Sequence, residues 1–143
     1  MMDKSFHYLL MITESLFQKK VWSELNLMGL TPGQPKVLDY LSQHDGCIQK
    51  KIATGCQIDP ATMTGILSRM EKHGLVKRMS ENDNRRSIYV YLTDLGKEKQ
   101  QQLAQVFEKV EQEAFAGMDE AQCEQLRDLL LSVCKNMIDI EVL

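Results

Sequence analysis

The chain has no long apolar run: among its 143 residues, Leu129-Leu130-Leu131 is typical of the longest. A membrane-spanning helix needs about 20 such residues, so a transmembrane segment is excluded. The opening Met-Met-Asp-Lys-Ser-Phe-His-Tyr lacks the basic-then-apolar layout of a signal peptide, and the expected location is cytoplasmic. Only three prolines and eight glycines interrupt the chain, which leans the composition toward helix. Cys47, Cys56, Cys123 and Cys134 form no C-x-x-C pair, and His7, His44 and His73 form no H-x-x-x-H pair. A structural zinc site is therefore not expected, and in a reducing cytosol the cysteines are free thiols. There is also no Ser/His/Asp or Cys/His constellation, no glycine-rich phosphate loop and no acid–base carboxylate pair. An enzyme is not expected, and no cofactor or metal is implied.

An excess of positive charge is missing too, since the net charge is −3. Its distribution matters more. Between Ile48 and Leu92 lie eight Lys/Arg and four acids, which makes that stretch +4 and leaves −7 for the rest. A basic middle between acidic ends points to an anionic partner for the middle alone. The length suits one domain, and hydrophobic residues at 43% suffice for a core.

Apolar residues at spacings of three and four predict a long helix over residues 5–28 (Phe6, Leu9, Leu10, Phe17, Val21, Leu25, Met28), stopped by Gly29. A short helix begins around Thr31-Pro32-Gly33-Gln34-Pro35, carries Val37, Leu38 and Leu41, and ends near His44. Another runs from about Gln49 to Gly55. Asp59-Pro60 is a strong start signal, N-cap then first-turn proline, for a helix reaching His73 with Met63, Ile66, Leu67 and Met70 inward. The period then shortens. Leu75–Met79 and Ser87–Leu92 read as strands around the polar tip Ser80–Arg86, a β-hairpin. Thr93-Asp94 opens a helix carrying Leu103, Val106, Phe107 and Val110. Asp119-Glu120 opens the last, with Leu126, Leu129, Leu130, Val133, Cys134, Met137 and Ile138.

The fold class is thus mainly α with a small β-hairpin wing. A short helix pair can hold its second helix in a major groove, and a charged hairpin tip beside it can reach a minor groove, where arginine is attracted. The terminal helices cannot easily bury all their apolar faces within one small chain. A symmetric dimer would cover them and set two recognition helices one DNA turn apart, about 34–36 Å, or a multiple of that.

The run Ile52-Ala53, Asp59 through Val76, Asn84-Arg85-Arg86-Ser87 and Leu92-Thr93 resembles the MarR family, bacterial winged helix-turn-helix regulators of multidrug, aromatic-compound and oxidative-stress responses. The resemblance covers residues 1–143 as a single domain. It implies dimerisation helices at 1–30 and 94–143 and a DNA-binding winged helix at 31–93. It implies a homodimeric, sequence-specific regulator of double-stranded DNA, most simply a repressor at an inverted-repeat operator, released by a small aromatic or anionic effector. Carried over by position, the DNA-binding residues are Gln49, Lys50, Pro60, Ala61, Thr62, Thr64, Gly65, Ser68, Arg69, Asn84, Arg85 and Arg86. Thr62 and Thr64 offer hydroxyls, and the helix N-terminus favours a phosphate. Arg86 matches the arginine that enters the minor groove. Two positions depart from the pattern. Asn84 stands where an aspartate usually precedes the arginines, with Asp83 one place earlier, and Gly65 replaces a longer polar side chain.

Arg69 suits bracing of a wing carboxylate, and Lys72, Lys77 and Arg78 suit either solvent or phosphate. Cys56 and Cys134 read as structural thiols; Cys47 and Cys123 are the candidates for a redox or electrophile sensor on the same scaffold. Phe6, Met11, Trp22 and Met28 would line an effector pocket or simply core. The histidines read as surface residues. From a different class, the chain could be a helical protein-interaction module without DNA binding.

Overall fold

The computed structural model of the protein describes residues 3–25, 28–81 and 87–143. Their elements follow in the order α1 (Phe6–Leu25), α2 (Gln34–His44), α3 (Gln49–Cys56), α4 (Pro60–Lys72), β1 (Val76–Ser80), β2 (Ile88–Leu92), α5 (Asp94–Ala114) and α6 (Glu120–Met137). A short 3-10 helix, Ile140–Val142, follows α6. The architecture is a winged helix-turn-helix flanked by long helices.

The core forms where α2, α3 and α4 converge. Val37, Leu38, Leu41, Ile52, Met63, Leu67 and Met70 are fully buried, each removing roughly 1.5–3 kcal/mol worth of apolar surface from water. Val76 and Val90 of the hairpin, Val21 and Leu25 of α1 and Leu103 of α5 close the cluster. These are the inward stripes that the three- and four-residue spacings predict.

Element ends differ from the expected ones for local reasons. The hairpin is antiparallel, pairing Val76 with Leu92 through Ser80 with Ile88. Its first strand starts at Val76 rather than Leu75, because the Leu75 N–H donates to Met70 O (2.9 Å) and the Gly74 N–H to Glu71 O (3.0 Å). With Gly74 at φ +76°, this is a Schellman cap: Leu75 closes α4 instead of joining the ladder. Helix α3 runs one residue further than expected and stops on Gln57, a non-glycine at φ 54°. Helix α1 is described as far as Leu25, and Met28 lies in a turn rather than in the helix; Asn26 and Leu27 lie outside the described residues.

One addition to the wing had no sequence signal. Residues 46–48 run along β2 as a third strand-like segment: the Gly46 N–H donates to Val90 O (2.9 Å), the Val90 N–H to Cys47 O (3.0 Å), and Ile48 bridges Tyr89. Asp45 Oδ1 also accepts the Leu92 N–H at 2.8 Å. The start of α3 is thereby fastened to the wing.

Helices α1 and α5 lie side by side, with Phe17 and Phe107 stacked at 6.3 Å and Lys109 Nζ paired with Glu24 at 3.0 Å. The amino-terminal half of α1 leaves Phe6, Leu9, Leu10 and Met11 exposed, and α6 buries none of its residues.

Candidate nucleic-acid interface

Asp59 starts α4 as expected, its Oδ1 accepting the Thr62 N–H at 2.9 Å. Its other oxygen accepts the Thr62 hydroxyl at 2.6 Å. The hydroxyl and the amide together hold this carboxyl below its ordinary range, so it is ionised at neutral pH. The Asp59 carboxylate offsets part of the positive end of α4, the end expected to favour a phosphate.

Ala61, Thr62, Thr64, Ser68 and Arg69 all lie on the exposed side of α4, with Pro60 at its start and Gly65 half-buried. The Thr64 hydroxyl donates to Pro60 O (2.9 Å) and accepts from Gln49 Nε2 (3.0 Å), so the expected contacts Gln49 and Thr64 are also a bolt between α3 and α4. Gln49, Lys50, Pro60, Thr64 and Ile88 line a recess of about 280 Å³ between α3, α4 and the wing. A Cβ on Gly65 would sit 3.8 Å from Arg69 Nη1, so the Arg69 guanidinium reaches back over the space that the glycine leaves.

Arg78 is not a solvated charge. Its Nη2 reaches Ser68 Oγ (3.3 Å) and Glu71 Oε1 (3.2 Å), while its backbone N–H donates to Glu71 Oε2 (3.1 Å). This clamp locks β1 to α4, and the Arg78 hydrogen bond holds the Glu71 carboxyl below its ordinary range. Lys72 and Lys77 are exposed. Sequence reasoning missed the clamp, although Glu71 and Arg78 flank a helix-ending Gly74 and so face one another once the chain reverses. Asn84, Arg85 and Arg86 fall outside the described residues, as does Asp83, the acid one place before Asn84.

Of the residues suggested for an effector pocket, Trp22 lines a cavity. That cavity, of about 260 Å³, opens between α1, α2 and α5, bordered by Gln18, Trp22, Lys36 and Phe107. Phe6 and Met11 are exposed on α1 and Met28 packs against the core. His44 is half-buried rather than on the surface, stacked on Tyr40 with ring centroids 4.1 Å apart. Among the thiols, burial pushes Cys47 up and Cys56 up to about 11. A raised value disfavours the thiolate at neutral pH, which weighs against Cys47 as a sensor. Cys56 is buried, as expected, while Cys134 is half-buried. No cluster of metal-ligating side chains occurs among the described residues.

Residues 30–88 match the MarR family, a span running from the turn before α2 to the first residue of β2. The HTH-type transcriptional regulator YwaE of Bacillus subtilis is 32% identical over 88 residues, which cover 62% of this chain and about half, 52%, of that relative. The transcriptional regulator SlyA superposes with a TM-score of 0.79 at 27% identity, covering 92% of both chains. The segment 30–88, which holds the helix-turn-helix and the first strand of the wing, is thus of MarR-family type. A further MarR-family structure, from Listeria monocytogenes and complexed with 26mer DNA, shares the fold at TM-score 0.83 and 24% identity, over 95% of this chain and 90% of that one. MarR proteins are transcriptional regulators rather than enzymes. No helix among the described residues is long and apolar enough to cross a membrane.

Proposed function

We propose that this chain works as a cytoplasmic MarR-family homodimer that binds an inverted-repeat operator in double-stranded DNA, represses transcription and is released by a small aromatic or anionic effector. The observation that carries the reading is α4: capped, rigidly bolted to α3 and the wing, and presenting Ala61, Thr62, Thr64, Ser68 and Arg69 outward. A helix held this way can enter a major groove with its register fixed. Gln49 and Lys50 flank it, and Asn84, Arg85 and Arg86 of the wing tip serve the neighbouring minor groove.

Two further features support the dimer and the release. The uncovered apolar residues of α1 and α6 need a partner, since an 18-residue helix gains little stability unless its apolar face is packed. Segments 1–30 and 94–143 are accordingly the dimerisation region and 31–93 the DNA-binding part. The cavity beside Trp22 has Lys36 and Glu14 at its rim and lies between the two. A small aromatic ligand held there against Trp22 would change the spacing of the two recognition helices.

Fluorescence anisotropy with mixed-sequence duplex, together with sedimentation, tests this reading. A dimer whose affinity falls steeply between 50 and about 200 mM salt is expected from counterion release. A monomer, or a dimer indifferent to DNA at low salt, contradicts it and favours a protein-interaction module.

A further inference from the structure

We propose that the first two turns of α4 select A·T base pairs through threonine and alanine methyl groups, rather than reading bases with hydroxyl donors; this rests on α4 entering the major groove. The Thr62 hydroxyl donates to Asp59 Oδ2 at 2.6 Å, and the Thr64 hydroxyl donates to Pro60 O at 2.9 Å. An ionised carboxylate and a backbone carbonyl can only accept, so the position of each proton is fixed. Gln49 Nε2 occupies one of the acceptor sites on Thr64 Oγ1.

Neither threonine therefore has a proton to give to guanine N7 or O6, both of which are acceptors. What the two residues still present are their γ-methyls and a remaining lone pair. Ala61 adds a methyl, and Gly65 adds no side chain. In the major groove the thymine C5-methyl is the apolar partner, and the adenine N6 amine is a donor that a lone pair can accept from. The lone pair would accept equally from the cytosine N4 amine, so it is the methyl contact, available only from thymine, that selects the A·T pair. Thr64 also borders the recess shared with Pro60, Met63 and Ile88, which extends its apolar surroundings.

The test uses the full chain and a duplex recovered by selection, with each thymine in turn replaced by uracil, which removes only the C5-methyl. Anisotropy titrations at one fixed salt concentration should show binding weakened about three- to five-fold at each thymine under α4, the amount expected for losing one buried methyl. Thr64→Ser keeps both hydrogen bonds but removes the methyl. It should bind the thymine duplex three- to five-fold more weakly and cease to distinguish uracil at one position, an interaction that a double-mutant cycle isolates. Thr64→Val should retain the thymine preference. If it does not fold, the wild-type uracil scan and Thr64→Ser still decide the matter. Equal binding of thymine and uracil duplexes, or full discrimination by Thr64→Ser, overturns methyl reading while leaving DNA binding intact. Binding to duplex with no sequence enriched overturns it likewise, and failure to bind any duplex removes the DNA-binding reading as well.

Discussion

Thr93 shows how much one side chain can hold. Its hydroxyl accepts the Gly96 N–H at 3.0 Å, capping α5, and donates to Gly74 O, tying that cap to the end of α4. Thr93→Ala removes both, and urea unfolding should show a loss of about 1–2 kcal/mol. Three residues on, Gly96 has no room for a side chain, since a Cβ there would lie 2.0 Å from Leu75 O. A backbone atom cannot swing aside, so Gly96→Ala should cost about 2–3 kcal/mol and lower Tm by several degrees. Titration acts at the same scale. Asp59 and Glu71 are both held below their ordinary values, so their contribution is fully present above those values and is lost as pH falls through the lowered ones. Thermal melts should therefore be flat from neutral pH down to about pH 5 as far as these two groups are concerned, and decline only in stronger acid.

Among the elements, the wing depends on the Glu71–Arg78 clamp for its angle against α4. Both groups are partly exposed, so Glu71→Ala should change stability by less than about 1 kcal/mol. It should nevertheless weaken binding to a selected operator several-fold, because β1 is no longer held at its angle against the recognition helix. Equal affinity for wild type and variant would remove that role. This scale is also where the sequence was most legible. Helix starts at Asp59, Thr93 and Asp119 carry a side-chain cap, and all three cap as expected. Ends were less legible. Leu75 has a strand-former's character, yet a Schellman bond takes it, and the three-residue pairing of 46–48 with β2 is too short to leave a period. The clamp and the Gln49–Thr64 bolt join residues 7 and 15 positions apart, and only the turn geometry brings them together. A motif names such residues without saying which of their hydrogen bonds are already engaged.

The whole molecule is legible mainly through what it leaves uncovered. The core stripes of α2, α3 and α4 are satisfied within the chain, whereas Met11 at 64% exposure, Leu129 at 57% and Met137 at 81% are not. Spacing alone identifies an apolar face, but not whether the same chain or another covers it. Leu129→Glu puts a charge on that face and should shift sedimentation from dimer toward monomer, with the winged-helix core still folded by circular dichroism. Operator affinity should fall with it, because one recognition helix alone contacts a single half-site. Selection of bound sequences from a random duplex pool tests operator recognition most directly, at about 150 mM salt, a condition fixed because phosphate-driven affinity depends on it. An enriched inverted repeat with half-sites about 10–10.5 bp apart, or a multiple of that, is the predicted result. No enrichment from a folded dimer would contradict it.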